Sequence, residues 1–265
     1  MSATGAASSL QRKPGFAVAA RLGHAVNGLL HLLIGVIAFR LATGGGGEAD
    51  QSGALGSIAG SPGGRVLLWI IVVGLLGLGL WQLVETVLAR GEDAKRTWAA
   101  RAKELGKAVA YLAIAATALR FATGGSSDSS EQTQSLSARL LAAPGGVALL
   151  VILGLAVVAV GVYFGFKGAT KRFQEDISVP SGSLGRGITA LGVAGYIAKG
   201  VALVAVGVLF VVGAVTADPS RATGLDGALQ ALAALPAGVA VLAITGLGLI
   251  AYGLYCGARA RYAKL

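Results

Sequence analysis

Asn27, Lys107 and Lys199 each interrupt a long apolar stretch, and each has polar or aromatic company at helical spacing. His24, Glu104 and Tyr196 lie three residues before them, and His31, Tyr111 and Leu203 lie four after. Spacings of three and four put each trio on one stripe of a helix. Two ammonium groups and an amide at equivalent depth would favour an anion, such as a carboxylate, a phosphate or a lipid headgroup. If the stripes face a common axis, they form a polar funnel open to the cytoplasm. The competing expectation is that both lysines extend to the cytoplasmic interface, since they stand only about two turns from their helix starts. The candidate set for anion or lipid binding is Asn27, Lys107, Lys199, His31, Tyr111 and Tyr196.

Other chemistries are poorly supplied. His24 and His31 are the two histidines of the chain, and they share one stretch. A bis-histidine haem between facing helices would therefore need a second copy. Cys256 is the single cysteine, which excludes an internal disulfide and a cysteine-rich metal site. Glu85 and Glu104 are the carboxylates nearest the apolar stretches, both near cytoplasmic ends, so ion-coupled transport has little support. No acid, histidine and serine can be read into a nucleophilic constellation. The expectation is a non-enzymatic scaffold or accessory subunit of the cell envelope, with no catalytic residue, no metal and no cofactor. The alternative is a binder or permease for a small anion or anionic lipid, using the funnel.

The elements that must hold these residues are membrane spans. Mean hydropathy is +0.74 and only 13% of residues are charged, against roughly 25% in an ordinary soluble domain. The chain holds 42 glycines and 6 prolines, a bias that suits closely packed membrane helices. Gly145–Phe166 and Pro236–Ala258 carry no charge, and Val66–Val84 has only Gln82 as a strongly polar residue. Each can cross a hydrocarbon layer about 30 Å thick. Leu22–Phe39 and Gly200–Ala217 add two spans, and Ala108–Leu119 is a shorter one that the internal repeat supports. The first stretch holds His24, Asn27 and His31, so it reads as a span and not as a signal peptide.

Six spans make three copies of one hairpin. Pro62, Pro144 and Pro236 open the even spans, in the first helical turn. Gly79, Gly161 and Gly253 follow each proline by seventeen residues, and Trp81, Tyr163 and Tyr255 by nineteen. On the odd spans Gly28, Ala108 and Gly200 correspond, as do Gly35, Ala115 and Gly207. The packing set is Gly28, Gly35, Gly79, Gly161, Gly165, Gly200, Gly207, Gly253 and Gly257, small residues that let helices approach. Before each proline lies a short apolar-patterned segment, Leu55 and Ile58 or Leu229 and Leu232, interrupted in copy two by Ser137.

The expected fold is all-α: a polytopic membrane protein of six transmembrane helices. They form three parallel two-helix repeats around a pseudo-threefold axis, with short amphipathic outer helices between paired spans. A cytoplasmic N-terminal tail covers 1–20. Repeat one covers 21–90 with spans at about 22–42 and 64–88, and repeat two covers 91–172 with spans at about 103–122 and 145–168. Repeat three covers 173–265 with spans at about 189–215 and 237–259, ending in a short cytoplasmic tail.

Sixteen of the 22 Lys and Arg fall on the side of the termini and of the loops after spans two and four. The positive-inside rule puts both termini in the cytoplasm of a bacterial plasma membrane. Orientation accounts for the net charge of +10 and removes the case for nucleic acid. The expected partners are the bilayer, with anionic lipid at the cytoplasmic face, and other membrane proteins.

The pattern resembles an uncharacterised bacterial membrane family, mainly actinobacterial, built from a two-span domain of unknown function in three tandem copies. Gly23-His24 with Gly28 and Gly35, Gly195-Tyr196 with Gly200 and Gly207, and the proline-glycine openings carry the resemblance. Copy two departs from it with Lys103-Glu104 and Ala108. The resemblance implies this architecture and no activity. The repeated phrase Ala-Thr-Gly-Gly after Arg40 and Arg120 reads as helix punctuation; a phosphate loop would precede a helix and end in Gly-Lys-Ser/Thr.

Overall fold

The computed structural model describes residues 14–89 and 93–264. Arg12, Lys13 and Arg90, which contribute to the orientation count, and most of the N-terminal tail lie outside them. The described residues form nine α-helices in a threefold rhythm: a span, a short helix, a span. Copy one is α1 (Pro14–Ala42), α2 (Gln51–Ala59) and α3 (Gly64–Leu88). Copy two is α4 (Ala94–Ala122), α5 (Ser129–Ala142) and α6 (Gly146–Ala169). Copy three is α7 (Gly182–Val215), α8 (Gly224–Ala233) and α9 (Gly238–Tyr262). Six of the nine are long and apolar enough to cross a membrane, and no strand occurs among the described residues. The protein is a multi-pass membrane protein.

The odd spans start earlier than the apolar stretches suggest. α4 begins at Ala94, where the Asp93 carboxylate accepts the Arg96 N–H at 2.7 Å, so its charged early turns continue the same rod. α7 reaches 34 residues, about 51 Å.

Each even span is entered through one turn, and here the structure corrects the sequence expectation. The prolines sit before the helix, at the second position of a β-turn. Gly64, Gly146 and Gly238 donate to Ser61, Ala143 and Leu235 at 3.0, 2.9 and 2.7 Å. The residue after proline is left-handed in all three copies: Gly63 (φ 74°), Gly145 (φ 76°) and Ala237 (φ 58°). Proline second and positive φ third is the type II turn. The next glycine has a different reason. A methyl at Gly64, Gly146 or Gly238 would collide with a carbonyl oxygen at the end of the preceding short helix. Ala-Thr-Gly-Gly is likewise a helix stop: Gly44 and Gly124 are left-handed, and Gly45 and Gly125 donate back to Arg40 and Arg120 at 2.8 Å, a Schellman closure.

The chain forms two compact units. One holds residues 55–127 with the first part of α1 and the end of α9; the other holds 28–54 and 128–258. In the second unit, spans pair through reciprocal glycine contacts. A methyl on Gly200 would stand 2.7 Å from the Gly161 carbonyl oxygen, and one on Gly161 would stand 2.8 Å from that of Gly200. Gly207 and Gly154 repeat this at 2.6 and 2.8 Å, two turns along. α1 and α9 pair identically: Gly28 with Gly253 and Gly35 with Gly246, at 2.6–2.9 Å. In the first unit, Gly79 of α3 receives Leu112 of α4, with Ala108 and Ala115 buried in the positions of Gly28 and Gly35. The close pairs are thus spans two and three, four and five, and six and one. They join neighbouring copies, not the two spans of one copy. Contacts within a copy exist as well: Gly23 lies against Leu78, and Gly195 against the Tyr252 backbone.

Gly165 and Gly257 behave differently from the rest of the packing set. A methyl on either meets nothing within 4 Å; they contribute backbone, their amide nitrogens lying 2.8 and 3.3 Å from where Gly200 and Gly28 would carry a Cβ. Gly154 and Gly246, missing from the sequence-derived set, sit ten residues after their prolines, a spacing that could have found them.

Ala237 supplies a test. A left-handed non-glycine residue costs roughly 1–2 kcal/mol, partly offset by the greater freedom of glycine in the unfolded chain. Ala237→Gly is expected to raise the thermal midpoint of the purified protein. Gly63→Ala and Gly145→Ala should lower it, each by an effect of about 1 kcal/mol. A lower midpoint for Ala237→Gly would contradict the turn assignment.

Candidate functional site

Lys199 leaves the middle of α7 and crosses to two other spans. Its Nζ lies 3.1 Å from His31 Nε2 on α1 and donates to Tyr252 Oη on α9 at 3.4 Å. A protonated lysine only donates, so in that state Nε2 accepts and His31 carries its proton on Nδ1. The ammonium also stands 4.4 Å from the Tyr252 ring centroid and 5.3 Å from that of Phe164 on α6. Four spans of one unit therefore converge on one cation, and its charge faces two π systems.

The Lys199 ammonium is thus engaged inside the unit, by side chains of α1 and α9 and beside Phe164 of α6. Toward the basic side the unit is filled by aromatic rings. Tyr196 (1% exposed) stacks on Phe173 (0% exposed) at 5.3 Å, and Tyr252 and Tyr255 meet Tyr196 edge-on at 5.2 and 5.5 Å. Phe173 comes from a short 3-10 turn, Arg172–Asp176, in the loop after α6. Tyr255 Oη donates to the Phe173 carbonyl at 3.3 Å, and Lys167 pairs with Asp176 at 2.6 Å. The loop stoppers this unit on the side toward which a funnel was expected to open.

Copy two uses its lysine otherwise. Lys107 forms a salt bridge with Glu104, one turn back on its own helix. Tyr111 follows it, half-buried, and Asn27 is half-buried in the same unit. Of the six candidates, Lys199, His31 and Tyr196 thus share one unit, while Asn27, Lys107 and Tyr111 belong to the other. Sequence reasoning missed Tyr252 and Phe164, because neither falls on the aligned stripe of the odd spans. Among the described residues no group of three His, Cys, Asp or Glu is placed to hold a metal ion.

The family model described as Domain of Unknown Function (DUF1206) matches three times, at residues 22–89, 103–171 and 194–263. Those matches coincide with the three copies. The chain belongs to the DUF1206 family. One relative, the uncharacterized protein YxxB of Bacillus subtilis (strain 168), is 34% identical over 252 residues, covering 92% of this chain and 90% of the relative. No solved structure matches. Membership accounts for the repeat and assigns no activity to Lys199.

At the other ends of the spans, the short helices of this DUF1206 chain carry an acidic group. Asp226 of α8 accepts the Ala49 N–H at 2.7 Å and holds Gln230 at 2.7 Å. Asp50, 1% exposed, caps α2 by accepting the Gly53 N–H at 3.0 Å. Ser52 and Ser129 hydrogen-bond at 2.5 Å, bringing the starts of α2 and α5 together. Burial pushes the Asp50 carboxyl up, opposed by its bond to Gly53 and reinforced by Asp226 and Asp128. Glu48 is raised too, first by burial and then by Asp128, Asp50 and Asp226.

The sign follows from linkage. A carboxyl raised in the folded state binds more protons folded than unfolded, so stability falls as pH rises above the ordinary values of 3.8 and 4.5. Asp50→Asn keeps an oxygen to cap Gly53 and removes the charge. It is expected to raise the thermal midpoint at pH 7.5, with the gain over wild type shrinking as pH falls toward 5. A gain that grows on acidification would overturn this account.

Proposed function

We propose that this DUF1206 chain is a non-enzymatic scaffold or accessory subunit of the bacterial plasma membrane, with both termini in the cytoplasm. The observation that carries this reading is where the intramembrane polar groups are engaged. Lys199, His31 and Tyr252 bind one another, Lys107 binds Glu104, and glycine backbones close the remaining contacts. Chemistry turned inward suits a protein that presents apolar faces to neighbours. α6 presents most: it is the least buried of the six spans, and α3 and α9 are the most buried. Ile152, Val162 and Phe166 stand half or more exposed on it. The partners are bilayer lipid and other membrane proteins, with no role for nucleic acid.

A photo-crosslinking residue at Ile152, activated in native membranes, should yield a discrete adduct with another membrane protein. The same residue at Arg221, in the connection between α7 and α8 and outside the spans, is the control and should not. Adducts to lipid alone, together with purification of the chain by itself, would sink the scaffold reading.

One observation favours a second reading, a binder or permease for a small anion or anionic lipid at the intramembrane lysines. The Lys199 ammonium is held inside the unit beside His31 and Tyr252, two further polar groups. Lys107→Leu with Lys199→Leu should then abolish anion binding by the folded protein in nanodiscs. Unchanged binding would remove this reading.

A further inference from the structure

The loop that stoppers the second unit also builds a groove beside it. After the 3-10 turn the chain runs through Val179 and Pro180 and folds back on the first turn of α7, so closely that a methyl on Gly185 would collide with the Pro180 carbonyl oxygen. The groove between this loop and α7 has a volume of about 730 Å³. It is lined by Lys171, Arg186 and Thr189 and by the small apolar side chains of Ala190, Val193 and Ala194. From Arg186 to Ala194 is eight residues, about 12 Å of helix.

Neighbouring contacts set the charge of the groove. Phe166 is half exposed and lies under the Arg172 guanidinium at 5.2 Å. Lys167 is committed to Asp176, and neither Asp176 nor Glu175 lines the groove. Lys171, by contrast, is held in position by its backbone: it is left-handed (φ 59°), its N–H bonds to Gly168 at 3.1 Å, and its carbonyl accepts from Gln174 at 3.0 Å. Gln174 donates in turn to the Thr189 hydroxyl at 2.9 Å, tying the turn to the groove wall.

We propose that this groove is a binding site for an anionic phospholipid of the cytoplasmic leaflet, with Lys171 and Arg186 on the headgroup phosphate and an acyl chain against Ala190, Val193 and Ala194. Charge complementarity chooses the occupant. Two cations in the groove attract an anionic headgroup, and its apolar lining offers a free phosphate nothing. The site rests on the cytoplasmic orientation of these loops and is independent of Lys199.

The test uses full-length protein in nanodiscs containing equal amounts of phosphatidylglycerol and phosphatidylcholine, released for native mass spectrometry. The expected result is a retained phosphatidylglycerol adduct in wild type. Lys171→Gln with Arg186→Gln should weaken it about twenty-fivefold, roughly fivefold for each cation lost. Arg221→Gln, in the outer connection, should leave it intact. Retention in the double variant, equal retention of both lipids, or displacement by inorganic phosphate alone overturns the proposal. Loss in Lys107→Leu with Lys199→Leu, but not in Lys171→Gln with Arg186→Gln, assigns the lipid to the intramembrane cations and overturns it as well. An unchanged thermal midpoint in the double variant separates loss of the site from loss of the fold.

Discussion

Everything in the second unit depends on helices touching backbone to backbone. At Gly28, Gly35, Gly200 and Gly207 no side chain stands between one span and the carbonyl oxygens of the next. Inside a bilayer, apolar side chains gain little by leaving lipid for protein, so association must come from contact itself. A methyl at any of these positions would press within 3 Å of a carbonyl oxygen. That closeness lets Lys199 of α7 reach α1 and α9 at once. It also brings Tyr196, Tyr252 and Tyr255 close enough for Phe173 to seal.

The same contacts show how the copies diverged. Copy two replaces glycine by Ala108 and Ala115 at the odd-span contact, and its partner span in copy one has Val72 where Gly154 and Gly246 stand. The lysine of copy two stays on its own helix with Glu104, while that of copy three crosses to His31. The short helices show a milder version. Leu55, Ser137 and Leu229 occupy one repeat position and all three are buried, so a serine inherits a leucine's place without changing the register. Repetition fixed the skeleton, and the chemistry was distributed unequally over it.

The six spans, their grouping and the short helices were legible because length, apolar character and proline spacing are local signals. Which span touches which was not. Gly28 and Gly35 mark a face seven residues apart, and a face does not name its partner. The inward course of Lys199 was hidden for the same reason: alignment made it the equal of Lys107, and only the neighbouring helices separate the two. Pro-Gly before a helix suits a first helical turn and a β-turn equally; the positive φ at Gly63, Gly145 and Ala237 decides for the β-turn. Lys171 and Arg186 lie fifteen residues apart across a fold-back, beyond the reach of any periodicity.

The pairing of α1 with α9 gives the chain a waiting time. Gly28 and Gly35 meet Gly253 and Gly246, roughly 220 residues later in the sequence. At ordinary rates of synthesis the ribosome needs on the order of ten to forty seconds to deliver them. Throughout that interval the glycine face of the first helix is made but unmatched. α9 is thus the helix that completes the glycine face of α1, and a chain stopped short of it would leave Gly28 and Gly35 without their partners.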